Sequence, residues 1–383
     1  MTNEQLLLRN CKRYDSGELV DIAVVGGKIN EIGRIDDPQN FDRIVDAEGK
    51  IVAPGFIDVH IQGAGGADVL DGTPEALQTM SQTLARLGVT GFLATTVMKP
   101  ETKNHHLSVL AENWQSDLGG AHILGLHLEG PFINPVKKGG ISPTAIYASS
   151  PAAFREVLEI TQNSLKMMTI APELDGNLAI IRQLCERDVV PAFAHSNATY
   201  EQAQKGFEAG IRHVTHIFNA MPPLHHREPG PLMAILESDS ITVQIISDGV
   251  HLHPRIVNFL YRNLGPRRCV CITDGIQAMG LPEGRFIYNG RAYESKDGAA
   301  RYDDGTLIGS AISVAEAARR FRRFTGCSLR EAIETVTLNP ARVLGIDHRK
   351  GSLETGKDAD LVLMDEQFRV SRTIIGGKIV HEI

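Results

Sequence analysis

Residues 189–197 read Val-Val-Pro-Ala-Phe-Ala-His-Ser-Asn, an apolar run that ends abruptly in polar residues led by His195. The same plan recurs along the middle of the chain: a short apolar, β-branched run, then polar residues or glycine, then a stretch of helical periodicity. Seven further runs occur, at 52–60 (VAPGFIDVH), 88–97 (GVTGFLATTV), 122–130 (HILGLHLEG), 165–173 (LKMMTIAPE), 211–219 (IRHVTHIFN), 241–249 (ITVQIISDG) and 268–275 (RCVCITDG). Near-continuous apolar strands separated by helices are the pattern of parallel strands buried on both faces. The intervening segments fit helices: Leu77, Met80, Leu84 and Leu87 recur on one helical face, and Thr73 before Pro74 supplies an N-cap and first turn. Eight such units predict an α/β fold, a (β/α)8 TIM-type barrel rather than an open sheet.

A barrel of this kind takes about 250 residues, and the chain has 383. The surplus lies at its two ends. Residues 19–35 and 360–381 alternate apolar with polar positions and carry Gly-Gly turns, as antiparallel hairpins do. Their similar character predicts that they meet in one small β-sandwich domain. The expected division is 1–52 and 347–383 for that domain and 53–346 for the barrel.

Composition narrows the function. A net charge of −7 without long runs argues against nucleic acid as a partner, since phosphate binding needs a basic face. The one basic cluster, Arg319, Arg320, Arg322 and Arg323, alternates with Phe321 and Phe324 and reads as a solvated helix face. No apolar run approaches the ~18 residues of a membrane helix, and the first residues lack a secretory pattern. Five cysteines without a CxxC pair read as reduced core thiols of a cytoplasmic protein.

The polar residues gather where the strands end: Asp58 and His60, Glu129, His195, His216 and Asn219, Asp248 with His251 beyond, and Asp274. In a barrel those ends converge on one mouth, where active sites are built. Glu129, His195 and His216 form a metal-ligand set of two imidazoles and one carboxylate, the pattern of catalytic rather than structural sites. A metal there acidifies water and polarises the carbonyl under attack. Zinc is the first expectation, one per subunit; iron, cobalt, manganese and nickel suit the same donors. Asp274 suits a general base that later hands its proton to a leaving amine. His251 suits a donor to the carbonyl oxygen. In the segment 216–230, Asn219 and Arg227 make a cradle for an anion such as phosphate.

At these residues the sequence resembles the N-acetylglucosamine-6-phosphate deacetylase family of the amidohydrolase superfamily. The resemblance is carried by Pro54-Gly55-Phe56-Ile57-Asp58-Val59-His60, Leu126-His127-Leu128-Glu129-Gly130-Pro131 and Ala194-His195-Ser196-Asn197-Ala198-Thr199. Thr215-His216-Ile217-Phe218-Asn219-Ala220-Met221, Arg227-Glu228-Pro229-Gly230, Ser247-Asp248-Gly249-Val250-His251 and Thr273-Asp274-Gly275 continue it. The resemblance implies a metal-dependent deacetylase of N-acetyl-D-glucosamine 6-phosphate with Glu129, His195 and His216 on the metal, Asp274 as acid/base and His251 on the acyl oxygen. It also implies that Asn219, the Ala220 amide and Arg227 bind the sugar phosphate, Arg227 by reaching a neighbouring subunit of a homodimer.

Two departures from the family pattern stand out. Many relatives carry His-x-His after the first strand for a second metal, whereas this chain has His60-Ile61-Gln62, which leaves His60 as a second, weak site with Asp274. Relatives place a sugar-contacting histidine two residues beyond the glycine of Lys137-Lys138-Gly139, where this chain has Ile141. Ile141 keeps a deacetylase of another N-acetylated sugar phosphate, such as the galactosamine epimer, as an alternative. A cyclic-amide hydrolase is a weaker one, because the fourth run ends in Glu173 with no lysine at that end. A barrel that only binds predicts loss of a ligand or of the base, and all four residues are present.

Overall fold

A computed structural model describes residues 5–288 and 290–383 of the chain. Among them, eight parallel strands hydrogen-bond in strict chain order: Phe56–Ile61, Val89–Thr96, His122–Glu129, Leu165–Ile170, Val190–Phe193, His213–Val214, Thr242–Ile246 and Cys269–Ile272. Each is followed by a helix, from Pro74–Arg86 after the first to Val314–Thr325 after the eighth. The first of these begins as its sequence demands: Thr73 accepts from the Ala76 N–H, and Leu77, Met80 and Leu84 are buried.

The sheet closes in two ways at the seam between its first and last strands. At the start of the strands the segment Thr335-Val336 is wedged between them, where Ile57 N–H donates to the Val336 carbonyl (2.8 Å) and Cys271 N–H to that of Thr335 (3.0 Å). At their ends the strands meet directly. Asp274 N–H donates to the His60 carbonyl (3.0 Å) and Gln62 N–H to that of Gly275 (2.8 Å). Asp58, fully buried beside this junction, accepts the Thr273 hydroxyl at 2.6 Å. Burial pushes its carboxyl up to about 6 against that hydrogen bond. It is therefore a seam residue, although its strand-end position resembles that of the site residues. Ile57, Val59, Leu93, Met167, Val270 and Ile272 pack as a cluster of their own, with Ala341, Leu344 and Ile346 against them. The barrel interior is thus filled on the side away from the site.

Both chain ends join one small domain, as their patterning requires. Its strands hydrogen-bond as one continuous eight-stranded sheet in which Ile51–Pro54 pairs antiparallel with Leu361–Met364. The sheet is mixed, because Leu6–Arg13 runs parallel to Arg43–Asp46 and to Ile51–Pro54. The boundary expected between residues 52 and 53 falls inside the strand Ile51–Pro54, which belongs to this sheet. The two Gly-Gly turns touch: a Cβ on Gly27 would lie 2.9 Å from the Gly376 carbonyl oxygen.

An element that sequence patterning passes over stands between the eighth strand and its helix. Residues Gly284–Tyr288, Arg291–Lys296, Ala299–Tyr302 and Leu307–Ser310 form a four-stranded antiparallel sheet. Its strands are exposed on many positions and rich in charge, so they carry no apolar run. The Asn289-Gly290 and Asp297-Gly298 dipeptides are the signal that marks them.

The chain ends are tied to the barrel exit by a buried ion cluster. The Lys350 amine lies 3.0 Å from Asp358 and also contacts Asp360, while Asp358 takes Lys28 (2.5 Å) and Arg349 (2.7 Å) as well. Burial would raise the Asp358 carboxyl, but Lys28, Lys350 and Arg349 outweigh it and hold the carboxyl well below its usual range. Lys350→Met should leave the buried Asp360 without its cation, while Asp358 keeps Lys28 and Arg349, and cost about 3–5 kcal/mol. Chemical denaturation of the variant measures this, and a loss under about 1 kcal/mol would show that the cluster is not a joint.

Candidate active site

The strand ends bring four of the singled-out residues into contact. Glu129 is the last residue of the third strand, and His195, His216 and Asp274 each lie two residues past the fifth, sixth and eighth. These last three share a backbone feature: φ is +46°, +28° and +47°, in or near the left-handed region that non-glycine residues avoid. Left-handed geometry breaks the strand alternation and turns the side chain into the barrel mouth. Each such residue costs on the order of 1–3 kcal/mol, which the surrounding structure must offset. Backbone hydrogen bonds do so here. Asn134 N–H donates to the His195 carbonyl (2.8 Å), Asn219 N–H to that of His216 (3.0 Å), and Ser310 N–H to that of Asp274 (2.9 Å).

Glu129 Oε1, His195 Nε2 and His216 Nε2 form a triangle with edges of 3.0, 3.1 and 2.8 Å, and all three residues are buried. His195 Nδ1 faces the Lys137 carbonyl at 2.7 Å, so it must carry the ring proton and donate. Nε2 is then a bare lone pair pointing at a carboxylate oxygen and at a second imidazole. A proton on His216 Nε2 would satisfy one edge only, and the buried Nδ1 of His216 has no partner. A divalent cation satisfies all three atoms at once, so the donor set fits a metal. The charge balance agrees. Burial opposes a charge on His60, but Asp274 and Glu129 outweigh it and raise this imidazole to about 9. Burial likewise opposes Glu129, yet the adjoining His195 and His216 hold it well below the usual carboxylate range. The mouth draws positive charge.

Beside the triangle, Asp274 Oδ1 lies 3.2 Å from His60 Nε2 and accepts the Gln62 amide at 3.2 Å. Its other oxygen, Oδ2, is 4.0 Å from His251 Nε2. His251 is set by Asp248, whose Oδ2 accepts Nδ1–H at 2.6 Å while its Oδ1 accepts the His251 backbone N–H at 2.8 Å. Arg320 donates to the Asp248 carbonyl at 2.5 Å and pairs with Glu316, as does Arg319. That side of the basic helix therefore supports the site and is not simply a solvated face. Sequence reasoning placed Asp248 at a strand end without a role; the spacing Asp248-x-x-His251 was the signal available.

These residues line a cavity of about 190 Å³ that also contains Asn219, Ala220 and the turn Gly139-Gly140-Ile141. Tyr288, Leu307, Ile308 and Gly309 of the inserted sheet complete its wall. Tight packing explains Gly309, where a Cβ would meet the Asp274 carbonyl oxygen at 2.6 Å, whereas Gly139 is required by its left-handed φ of +56°. Arg227 is not brought into this cavity. It is exposed, hydrogen-bonds His226 (2.8 Å) and borders a separate surface pocket with Tyr200 and Pro223. The expected anion cradle therefore reaches the cavity through Asn219 and Ala220 only within one chain. Lys166 lies at the start of the fourth strand, away from the triangle, where it cannot serve as a bridging ligand.

Barrels that close around such donors form a class of divalent-metal-dependent hydrolases of amide bonds. The chain belongs to the amidohydrolase family, whose sequence model matches residues 51–380, and within it to the N-acetylglucosamine-6-phosphate deacetylases. It is 34% identical over 384 residues to N-acetylglucosamine-6-phosphate deacetylase of Bacillus subtilis, covering 98% of this chain and 97% of that one. It is also 36% identical over 337 residues to N-acetylgalactosamine-6-phosphate deacetylase of Escherichia coli, covering 88% and 89%. Among solved structures, an aspartate-to-alanine mutant of N-acetyl-D-glucosamine-6-phosphate deacetylase from Mycobacterium smegmatis, in complex with N-acetyl-D-glucosamine-6-phosphate, superposes with a TM-score of 0.89. It has 30% identity and covers 100% of both chains.

Glu129→Gln should weaken retention of divalent metal by more than about 100-fold, the upper end of what loss of an outer-shell partner costs. Metal analysis after dialysis reads this directly; full retention would remove Glu129 from the ligand set.

Proposed function

We propose that this chain hydrolyses the acetamido bond of N-acetyl-D-glucosamine 6-phosphate, releasing acetate and D-glucosamine 6-phosphate. One observation carries the reading: the Glu129, His195 and His216 donors, Asp274 Oδ2 and His251 Nε2 face one cavity. The nearly full-length similarity to deacetylases of this substrate supports it.

Glu129, His195 and His216 would hold one divalent ion per subunit. Zinc suits two imidazoles and a carboxylate, and iron, cobalt, manganese and nickel accept the same donors. Bound there, the ion draws electron density from the acetyl carbonyl and brings the pKa of water down towards about 7. Asp274 takes the proton of the attacking water on Oδ2 and returns it to the sugar nitrogen as the C–N bond breaks. His251, whose Nδ1 is held by Asp248, presents Nε2 to the oxygen on which charge develops. His60 is engaged with Asp274 and Gln244, which makes it a weak second ligand at most.

Asn219 and the Ala220 amide sit at the cavity edge, where they would meet the phosphate end of the sugar. Arg227 lies outside its own cavity, which suits a homodimer in which it reaches the phosphate in a second copy. Residues 53–346 would carry all of the catalytic groups, with the two chain ends as their support. Five free thiols suit a reducing cytoplasm.

A second reading is favoured by the Escherichia coli relative and by the apolar Ile141 in the cavity wall: the galactosamine epimer as substrate. Acetate release measured side by side on the two N-acetylhexosamine 6-phosphates decides between them, with the glucosamine form expected to have the higher kcat/KM. In the same assay Asp274→Asn should keep metal and lose about 10²–10⁴-fold in kcat. Near-normal turnover would exclude Asp274 as the proton carrier.

A further inference from the structure

The two oxygens of Asp274 are not equivalent. Oδ1 accepts the Gln62 amide N–H at 3.2 Å and lies 3.2 Å from His60 Nε2, whereas Oδ2 faces the cavity and His251. Gln62 is buried, and its amide oxygen is hydrogen-bonded to the hydroxyl of Tyr288 on the inserted sheet. An amide oxygen only accepts, so Tyr288 must be the donor. Turning the Gln62 amide over would set its oxygen against the Asp274 carboxylate, so only one orientation satisfies both ends. The same sheet also grips the backbone of Asp274. Ser310 N–H donates to the Asp274 carbonyl (2.9 Å), and the Ser310 hydroxyl donates to that of Thr273 (2.5 Å).

We infer that Tyr288 and Gln62 are positioning residues that act in series, locking Oδ1 of Asp274 so that Oδ2 alone carries the proton of the reaction. This rests on the deacetylase reading above. When Asp274 accepts a proton from water, Oδ1 is already occupied as an acceptor, and the proton must reside on the oxygen that faces the sugar nitrogen. Without Tyr288 the Gln62 amide loses the partner that fixes its orientation. Asp274 can then turn and hold the proton where the leaving nitrogen cannot collect it. The inserted sheet, which sequence patterning does not reveal, is by this inference the support of the catalytic base as well as a wall of the cavity.

The test uses metal-loaded, full-length enzyme and the variants Tyr288→Phe, Gln62→Leu and the double variant, with acetate release from N-acetyl-D-glucosamine 6-phosphate. Tyr288→Phe should lower kcat about 3–10-fold, as loss of one hydrogen bond does, with KM and metal content unchanged. Gln62→Leu should lower kcat at least as far. The double variant should be no worse than Gln62→Leu, because the two residues act in series. Losses that multiply, or a raised KM at unchanged kcat, would overturn the inference. A crystal structure of Tyr288→Phe adds a readout that does not depend on the substrate: the Gln62 amide should turn away from Asp274, and an amide left in place would overturn the inference equally. Failure of the unaltered enzyme to release acetate from either sugar phosphate would instead strike at the proposed function, and the structure of the variant would still judge the relay.

Discussion

Three lone-pair atoms held within 3.1 Å of one another at the mouth of a barrel are the constraint on which this molecule turns. The Lys137 carbonyl commits His195 to presenting a bare nitrogen, and burial denies the group a water shell that could dilute the repulsion. Only positive charge relieves the arrangement, and a divalent cation relieves it completely. Much of the surrounding architecture can be understood as the means of keeping those atoms together. The left-handed turns after three strands aim the side chains inward, and backbone donors from Asn134, Asn219 and Ser310 hold the strained peptides in place.

The seam of the barrel and the chemistry share atoms. The hydrogen bond from Asp274 N–H to the His60 carbonyl closes the sheet, and the side chains of the same two residues meet at 3.2 Å within the site. Asp58 and Thr273 clamp the seam one layer further in. The same pair of residues therefore both closes the sheet and lines the site. The small β-domain contributes at a distance, since its ion cluster around Lys350 secures the chain on its way out of the barrel.

Support for the proton-handling groups comes from elements outside the strands. Asp248 orients His251 and is itself steadied by Arg320 of the last barrel helix. Gln62 lies two residues past His60, and its amide serves Asp274. The inserted sheet gives the cavity Tyr288, Leu307 and Ile308, so one face of the site is built from residues far along the chain from the strand ends that carry the donors.

The barrel, its eight strands and the polar residues at their ends were legible in the sequence because both signals are local. A strand buried on both faces must be apolar throughout, and an ionisable residue at its end must have a reason to be there. The joining of the two chain ends was legible as well, through alternation and Gly-Gly turns. The inserted sheet was not, since exposed polar strands carry no periodic pattern. Nor did the sequence show that Asp58 would serve the seam while His60, two residues on, would serve the site, or that Arg227 would lie outside its own cavity. Which strand-end atoms meet, which tautomer each imidazole presents and which oxygen of Asp274 is left free are matters of distance between residues far apart in the chain. The sequence by itself determined the elements and the kinds of donors they carry; only closure of the barrel decided which of those donors face one another.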